Sequence, residues 1–239
     1  MKINWEIEQS DIDKVKSLVS SQEDKQFVQC RKARNLSDKE HRVCKEEFWE
    51  QMVKARLTSV QRVGSGSPVA KFCDKDSFPL GYSMVSDEVC MKSFIEGKLI
   101  DHGGIRFYSR IAEDLTENFR RLRNSDWKAL DRVNELSLPQ CQRKERKVAG
   151  CIQESLKGFG PKQSRNLLQN LGLTRYEIPI DSRFNRWLND EELIPIKLTG
   201  MALADKGCYE FVLDGIQKLC RDAEVYPCVL DAAVFSSFD

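Results

Sequence analysis

The residues best suited to do chemistry lie in two stretches. One runs Glu154-Ser-Leu-Lys-Gly158-Phe-Gly160-Pro161-Lys162-Gln-Ser-Arg; the other runs Ile178-Pro-Ile-Asp181-Ser-Arg-Phe. A lysine is a nucleophile only as the neutral amine, and near pH 7 that needs burial or positive neighbours to lower its pKa. Lys162 follows Gly-Phe-Gly-Pro at what reads as the start of a helix, where unpaired N–H groups carry partial positive charge. Pro161 suits the first helical position because its missing N–H would be unpaired there anyway. Gly158 and Gly160 are expected to supply the positive φ angles and close approach of a tight hairpin. The outward N–H groups make an anion site, for which a DNA phosphate is the obvious occupant. Asp181, nineteen residues after Lys162, offers a carboxylate to offset developing positive charge.

Each feature also has a plain structural account. A glycine-capped corner between two helices produces the same glycines, and Lys162 is then no more than a phosphate contact. Asp181 is then an ordinary N-cap for the helix carrying Phe184, Trp187 and Leu188. Reach decides whether the two side chains can meet. A helix from Lys162 to Leu171 is about 15 Å long, and Thr174 to Ile180 span up to roughly 23 Å when extended. The chain can therefore return and set Asp181 beside Lys162.

The elements that must hold these residues read as helices. Val148, Ile152 and Leu156 mark a helix that runs to Gly158, and Leu167, Leu168 and Leu171 mark the next. Trp49, Val53, Leu57 and Val60 form another stripe, as do Tyr108, Ile111, Ala112, Leu115, Phe119 and Leu122. Trp127, Leu130 and Val133 begin a helix with Ser125 or Asp126 as its cap. Phe211, Val212, Ile216, Leu219 and Cys220 give a late amphipathic helix, and Asp231 and Phe235, four apart, share one face of the last. Strand-type alternation is hard to find, so the chain reads as mainly α. Residues 63–104, rich in Gly, Ser and Pro, read as loops around one or two short helices. Residues 1–45 read as a charged helical N-terminal extension, with Ile12, Val15, Leu18 and Val19 on its apolar side, and 46–239 as the main domain. Within that domain the hairpin occupies 151–172 and the aspartate segment 178–188.

Composition narrows the classes. The chain has 239 residues, 41% hydrophobic and 31% charged, which places it among soluble globular proteins. No apolar run approaches the roughly 18 residues of a membrane span, and the N-terminus has no apolar signal core, so a cytoplasmic location is expected. Net charge is +1, so any nucleic-acid surface must come from local asymmetry; Arg120-Arg121-Leu-Arg123 and Arg143-Lys-Glu-Arg-Lys147 are candidate patches. Nine cysteines are scattered without a CxxC pair, and His41 and His102 are the only histidines. Metal ligands normally need closer spacing. The expectation is no metal site, with the cysteines as reduced thiols acting as small core hydrophobes.

The hairpin followed by Ile-Pro-Ile-Asp resembles the helix-hairpin-helix/Gly-Pro-Asp superfamily of base-excision DNA glycosylases. The likeness runs over roughly residues 45–239 and is specific over 154–187. It implies an all-α fold of two helical subdomains with a DNA-binding cleft between them, and no cofactor. Lys162 falls where bifunctional members carry their nucleophilic lysine, and Asp181 falls where the superfamily carries its aspartate. Gly158, Gly160 and Pro161 would contact DNA. The segment Ala55-Arg-Leu-Thr-Ser-Val-Gln61 resembles a helix whose end faces DNA, making Gln61 a candidate to fill the space left by a flipped base. Endonuclease III carries a four-cysteine cluster after its aspartate. Here only Cys208, Cys220 and Cys228 follow Asp181, which turns the resemblance toward cluster-free, archaeal-type 8-oxoguanine DNA glycosylase/lyases. In those, the last helix brings an aspartate and an aromatic to the base pocket, the positions of Asp231 and Phe235. The implied partner is double-stranded DNA with a damaged or modified base, met by a nucleoid-associated monomer that excises an oxidised purine and nicks the strand. The same chemistry on another modified base, as in foreign DNA, and a non-enzymatic DNA-binding module are the alternatives.

Overall fold

The structure is a computed structural model and describes residues 4–59, 61, 64 and 66–238. Among them the chain forms thirteen α-helices and no strand. In order these are α1 (Gln9–Ser21), α2 (Gln26–Asn35), α3 (Lys45–Leu57), α4 (Pro68–Cys73), α5 (Tyr82–Val85), α6 (Met91–His102) and α7 (Tyr108–Asn124). The second half holds α8 (Lys128–Asn134), α9 (Gln142–Ser155), α10 (Pro161–Asn170), α11 (Ser182–Asp190), α12 (Lys206–Asp222) and α13 (Pro227–Ser237). None is long and apolar enough to cross a membrane.

Burial divides the molecule into two lobes, each with its own apolar core. The first core runs from Val43 to Leu173 and is built by α3 to α10. Its apolar stripes pack as helical spacing requires: Trp49 of α3 meets Phe119 of α7 edge to face at 5.2 Å, and Leu167, Leu168 and Leu171 seat α10 and its C-terminal end in the same core. The second core joins Ile178 through Val234 to Val15 of α1 and Val28 of α2. Of residues 1–45, the described part packs on both cores, through Val15 and Val28 on the second and Val43 on the first. Its two helices complete the second lobe, with α2 along α13 and α1 against α12 and α13. The buried positions of α2 are Val28, Arg31 and Asn35, and buried polar residues leave no apolar stripe in the sequence.

Several local expectations shift. Residues 63–104 hold three helices, the longest being α6, where Met91, Ile95 and Leu99 are buried four residues apart. Val60, Val63 and Ser65 lie outside the described residues. Helix α8 is capped by neither Ser125 nor Asp126. Asp126 and Trp127 take φ of 50° and 60°, and the Trp127 N–H donates to Leu122 O at 2.8 Å, closing the end of α7. Tyr108 opens α7 but is exposed. Only Cys220 and Cys228 of the nine cysteines are buried; Cys44, Cys90 and Cys141 stand at the N-caps of α3, α6 and α9, where the chain is entering a helix from the surface.

Candidate active site

The hairpin leaves α9 at Ser155, three residues before Gly158, and reaches α10 at Pro161. Gly158 has φ +80°, and a Cβ there would stand 2.8 Å from both Arg56 Nε and Asp114 Oδ2. Those two belong to a buried ion pair in which Arg56 donates from Nε and Nη2 to Asp114 Oδ2 at 2.9 and 2.7 Å. Asn118 completes the anchor: its Nδ2 donates to Lys157 O at 3.0 Å and its Oδ1 accepts from Lys157 N at 2.6 Å. Gly158 is thus a glycine because α3 and α7 press against it.

Gly160 differs from the expectation. Its φ of −91° and ψ of −170° are ordinary extended backbone, and no atom lies within 4 Å of where its Cβ would be. Nothing inside the protein requires glycine there. The missing side chain bares the start of α10, which has no side-chain cap. The backbone N–H groups of its first turn therefore have no capping side chain among the described residues.

Lys162 is the second residue of α10. Burial lowers its pKa, while the carboxylates of Asp181 and Asp231 pull the other way. The positive end of the helix adds to the depression. Asp181 is the N-cap of α11, and one oxygen, Oδ1, accepts from the N–H groups of Arg183 and Phe184, both at 2.9 Å. Capping commits a single oxygen, so it is compatible with a charge held near Lys162. Asp231, on α13, has its pKa pushed up to about 7, chiefly by burial. The three groups act on one another electrostatically, α10 packing in the first core and α11 and α13 in the second.

The spacing between Lys162 and Asp181 is held by residues that no motif singled out. Arg165, one turn after Lys162, donates from Nη1 to Pro161 O at 3.0 Å and from Nε to Glu177 Oε2 at 2.7 Å. Glu177 Oε1 also receives Arg146 Nε at 2.9 Å and Gln217 Nε2 at 3.1 Å. The Arg165 guanidinium lies 4.7 Å over the Tyr209 ring. The Tyr209 hydroxyl donates to Ile178 O at 2.9 Å and accepts from Ile180 N at 2.7 Å. Upstream, Glu145 accepts the N–H groups of Arg175, Tyr176 and Glu177 at 2.8 to 2.9 Å. This network ties α9, α10 and α12 to the strand-like approach to Asp181. A buried charged cluster has no sequence period, so only the Glu177 position, just ahead of an apolar Ile-Pro-Ile, hinted at it.

Phe235 lies one turn beyond Asp231 and stacks on Phe27 of α2 with centroids 4.7 Å apart; the Arg183 guanidinium stands 3.9 Å from its ring centre. Gln61 is placed elsewhere, near the end of α3. Its Nε2 donates to Leu57 O and its Oε1 accepts from Arg106 N at 2.9 Å, joining α3 to the turn before α7. Among the described residues no three His, Cys, Asp or Glu side chains cluster as a metal site would need. What the centre offers is an amine biased toward its neutral form, two carboxylates and an adjoining uncapped helix start. That set suits attack on an electrophilic carbon followed by imine formation.

No protein-family model matches the chain, and no curated protein matches it. Solved structures do. The 8-oxoguanine DNA glycosylase of Methanocaldococcus jannaschii superimposes with a TM-score of 0.68 at 19% identity, over 94% of this chain and 91% of that one. The 8-oxoguanine glycosylase/lyase of the same organism, in complex with a 15mer DNA containing 8-oxoguanine, gives 0.67 at 16%, over 93% and 95%. The 8-oxoguanine DNA glycosylase of Thermotoga maritima gives 0.68 at 19%, over 94% and 95%. The chain has the all-helical fold of these proteins along nearly its whole length.

Proposed function

We propose that this protein is a bifunctional DNA glycosylase and abasic-site lyase that removes an oxidised purine, 8-oxoguanine first among them, from double-stranded DNA. The observation that carries the reading is Lys162: a half-buried lysine with a lowered pKa, at an uncapped helix start and under the electrostatic influence of two carboxylates. The likeness of fold to 8-oxoguanine glycosylases supports the substrate class.

The uncapped start of α10, with Gly158, Gly160 and Pro161 shaping its approach, binds a backbone phosphate. The damaged nucleotide leaves the stack at a cost of a few kcal/mol, and Gln61 fills its place once released from Leu57 and Arg106. Lys162 attacks C1′, the N–C1′ bond forms and the glycosidic bond breaks, the base departing with a proton. Opening of the sugar ring leaves an imine, from which β-elimination expels the 3′ phosphate and nicks the strand. Asp181 offsets the positive charge that builds on the sugar, and Asp231 and Phe235 line the base pocket. No cofactor enters this chemistry, and it is complete within one monomer, acting in the nucleoid.

Borohydride trapping tests the reading. Wild-type protein should form a stable adduct with duplexes containing 8-oxoguanine or an abasic site. Lys162→Gln should form none and release no base while still binding DNA. Undiminished trapping by Lys162→Gln would move the nucleophile elsewhere, and a panel of lesion-containing duplexes would reassign the base if 8-oxoguanine is not released.

A further inference from the structure

Between Leu173 and Asp181 the chain passes from one core to the other without a helix. Side chains hold its peptide groups. Glu145 accepts three of the N–H groups, Asn35 Nδ2 donates to Thr174 O at 3.0 Å, and Gln217 Nε2 donates to Tyr176 O at 2.9 Å. The grip nearest Asp181 is the Tyr209 hydroxyl from α12. It bridges Ile178 O and Ile180 N across Pro179, a residue with no N–H of its own. Tyr209 is fully buried, and burial pushes its pKa up, so the hydroxyl keeps its proton and its role as donor. The Arg165 guanidinium lies over the ring, and Arg165 Nη1 donates to Pro161 O, the carbonyl just ahead of the Lys162 N–H. One side chain thus borders the backbone approaches to both Lys162 and Asp181.

We propose that Tyr209 is a positioning residue for Asp181: its hydroxyl fixes the two peptide groups that flank Pro179 and so sets where the carboxylate stands relative to the sugar. This rests on the glycosylase reading above. The carboxylate itself is already turned by its cap, with Oδ1 committed to Arg183 N and Phe184 N. What the hydroxyl adds is a fixed backbone beneath it. Small displacements of a group acting on the reacting centre cost large factors in rate. The two reactions need that carboxylate to different degrees. Departure of the base builds positive charge on the sugar, which Asp181 offsets. An abasic strand presents an aldehyde at C1′, so Lys162 attacks it with no base to expel. Loss of the hydroxyl therefore slows base release far more than cleavage of a ready-made abasic site.

Tyr209→Phe tests the role, since it keeps the ring beneath Arg165 and removes only the hydroxyl. Release of 8-oxoguanine and cleavage of an abasic duplex are measured in single turnovers at saturating protein, and borohydride trapping on the abasic strand counts the active molecules. If the wild type removes another lesion base, that base replaces 8-oxoguanine. The ratio of base release to abasic cleavage should fall at least about tenfold, while affinity for undamaged duplex changes less than about twofold. Both reactions need the folded protein, so partial unfolding lowers both rates together and leaves the ratio alone. Should Tyr209→Phe not fold, 4-aminophenylalanine in place of Tyr209 keeps the donor, weakens the acceptor and should lower the ratio in the same direction. A hydroxyl that acts through Asp181 has nothing to act on once that carboxylate is gone. Adding Tyr209→Phe to Asp181→Asn should therefore lower the ratio no further. An unchanged ratio in the folded variant, or a full further fall in the double variant, overturns the positioning role and leaves the glycosylase reading standing. A wild type that neither releases a base nor forms a trapped adduct overturns both.

Discussion

The two sides of the site are finished to different degrees. On the hairpin side the buried charged groups find partners within the protein. Glu177 takes Arg165, Arg146 and Gln217, Tyr209 both gives and accepts a hydrogen bond, and the Arg56–Asp114 pair braces Gly158. On the α2–α13 side Arg31 and Asp231 stand 3.5 Å apart, and Arg31 Nε has no hydrogen-bond partner. A buried polar group left unmatched costs about 1–3 kcal/mol. The contrast sets a side whose charges are matched on folding against one whose buried guanidinium is not.

Five substitutions sharpen or break that contrast. The largest effect is expected at Asp181. Asn caps a helix about as well as Asp, so Asp181→Asn should unfold at the wild-type temperature while single-turnover excision slows on the order of 10²-fold or more. Wild-type activity in that variant would reduce Asp181 to its capping role.

Opposite signs of stability are expected for the two buried carboxylates. Glu177→Ala leaves Arg165 buried without its partner and should cost about 3–5 kcal/mol in denaturant unfolding. Asp231→Asn should instead stabilise the protein at pH 8. Burial pushes its carboxyl up to about 7 in the folded protein, well above the ordinary carboxylate range. A carboxyl whose pKa is raised by folding supports the fold below its unfolded pKa and loses that support as pH climbs through the folded value. The gain in Asp231→Asn should therefore grow between about pH 4 and 7 and vanish below. Destabilisation by Asp231→Asn at pH 8 would place Asp231 among the saturated groups and remove the contrast.

The smallest effects separate two glycines of one motif. Gly158→Ala meets both a left-handed backbone and the Arg56–Asp114 pair, and should lose about 1–3 kcal/mol of stability. Gly160→Ala has open space and an extended φ, so its loss should stay under about 1 kcal/mol. Its effect should appear in weakened binding to undamaged duplex DNA, measured by titration at fixed salt. Equal stability losses would mean that both glycines serve the fold alone.

Local rules carried much of the fold. The Leu167, Leu168 and Leu171 stripe, the Gly-Phe-Gly-Pro approach and the spacing to Asp181 were readable because helix period, proline at a first turn and chain reach act between near neighbours. The α7 stripe was legible from Ile111 to Leu122 for the same reason, and Tyr108 fell outside it only because the end of a helix is less enclosed than its middle. By contrast α2 looked like solvated surface. Its inward face carries Arg31 and Asn35, and a pattern of hydrophobicity cannot reveal polar groups that are buried against other polar groups.

By itself, then, the sequence determined an all-helical chain, a hairpin with a lysine at the uncapped start of its second helix, and an aspartate near enough to return to it. Each of these follows from interactions over a turn or two, or from the length of chain between two points. The tertiary structure alone decided that α1 and α2 close the second lobe, that Glu177 and Arg165 hold the approach to Asp181, and that Phe27 and Arg31 face Phe235 and Asp231. Those pairings join residues far apart in the chain, and their energies depend on burial and on which polar group meets which, quantities that exist only once the lobes have packed.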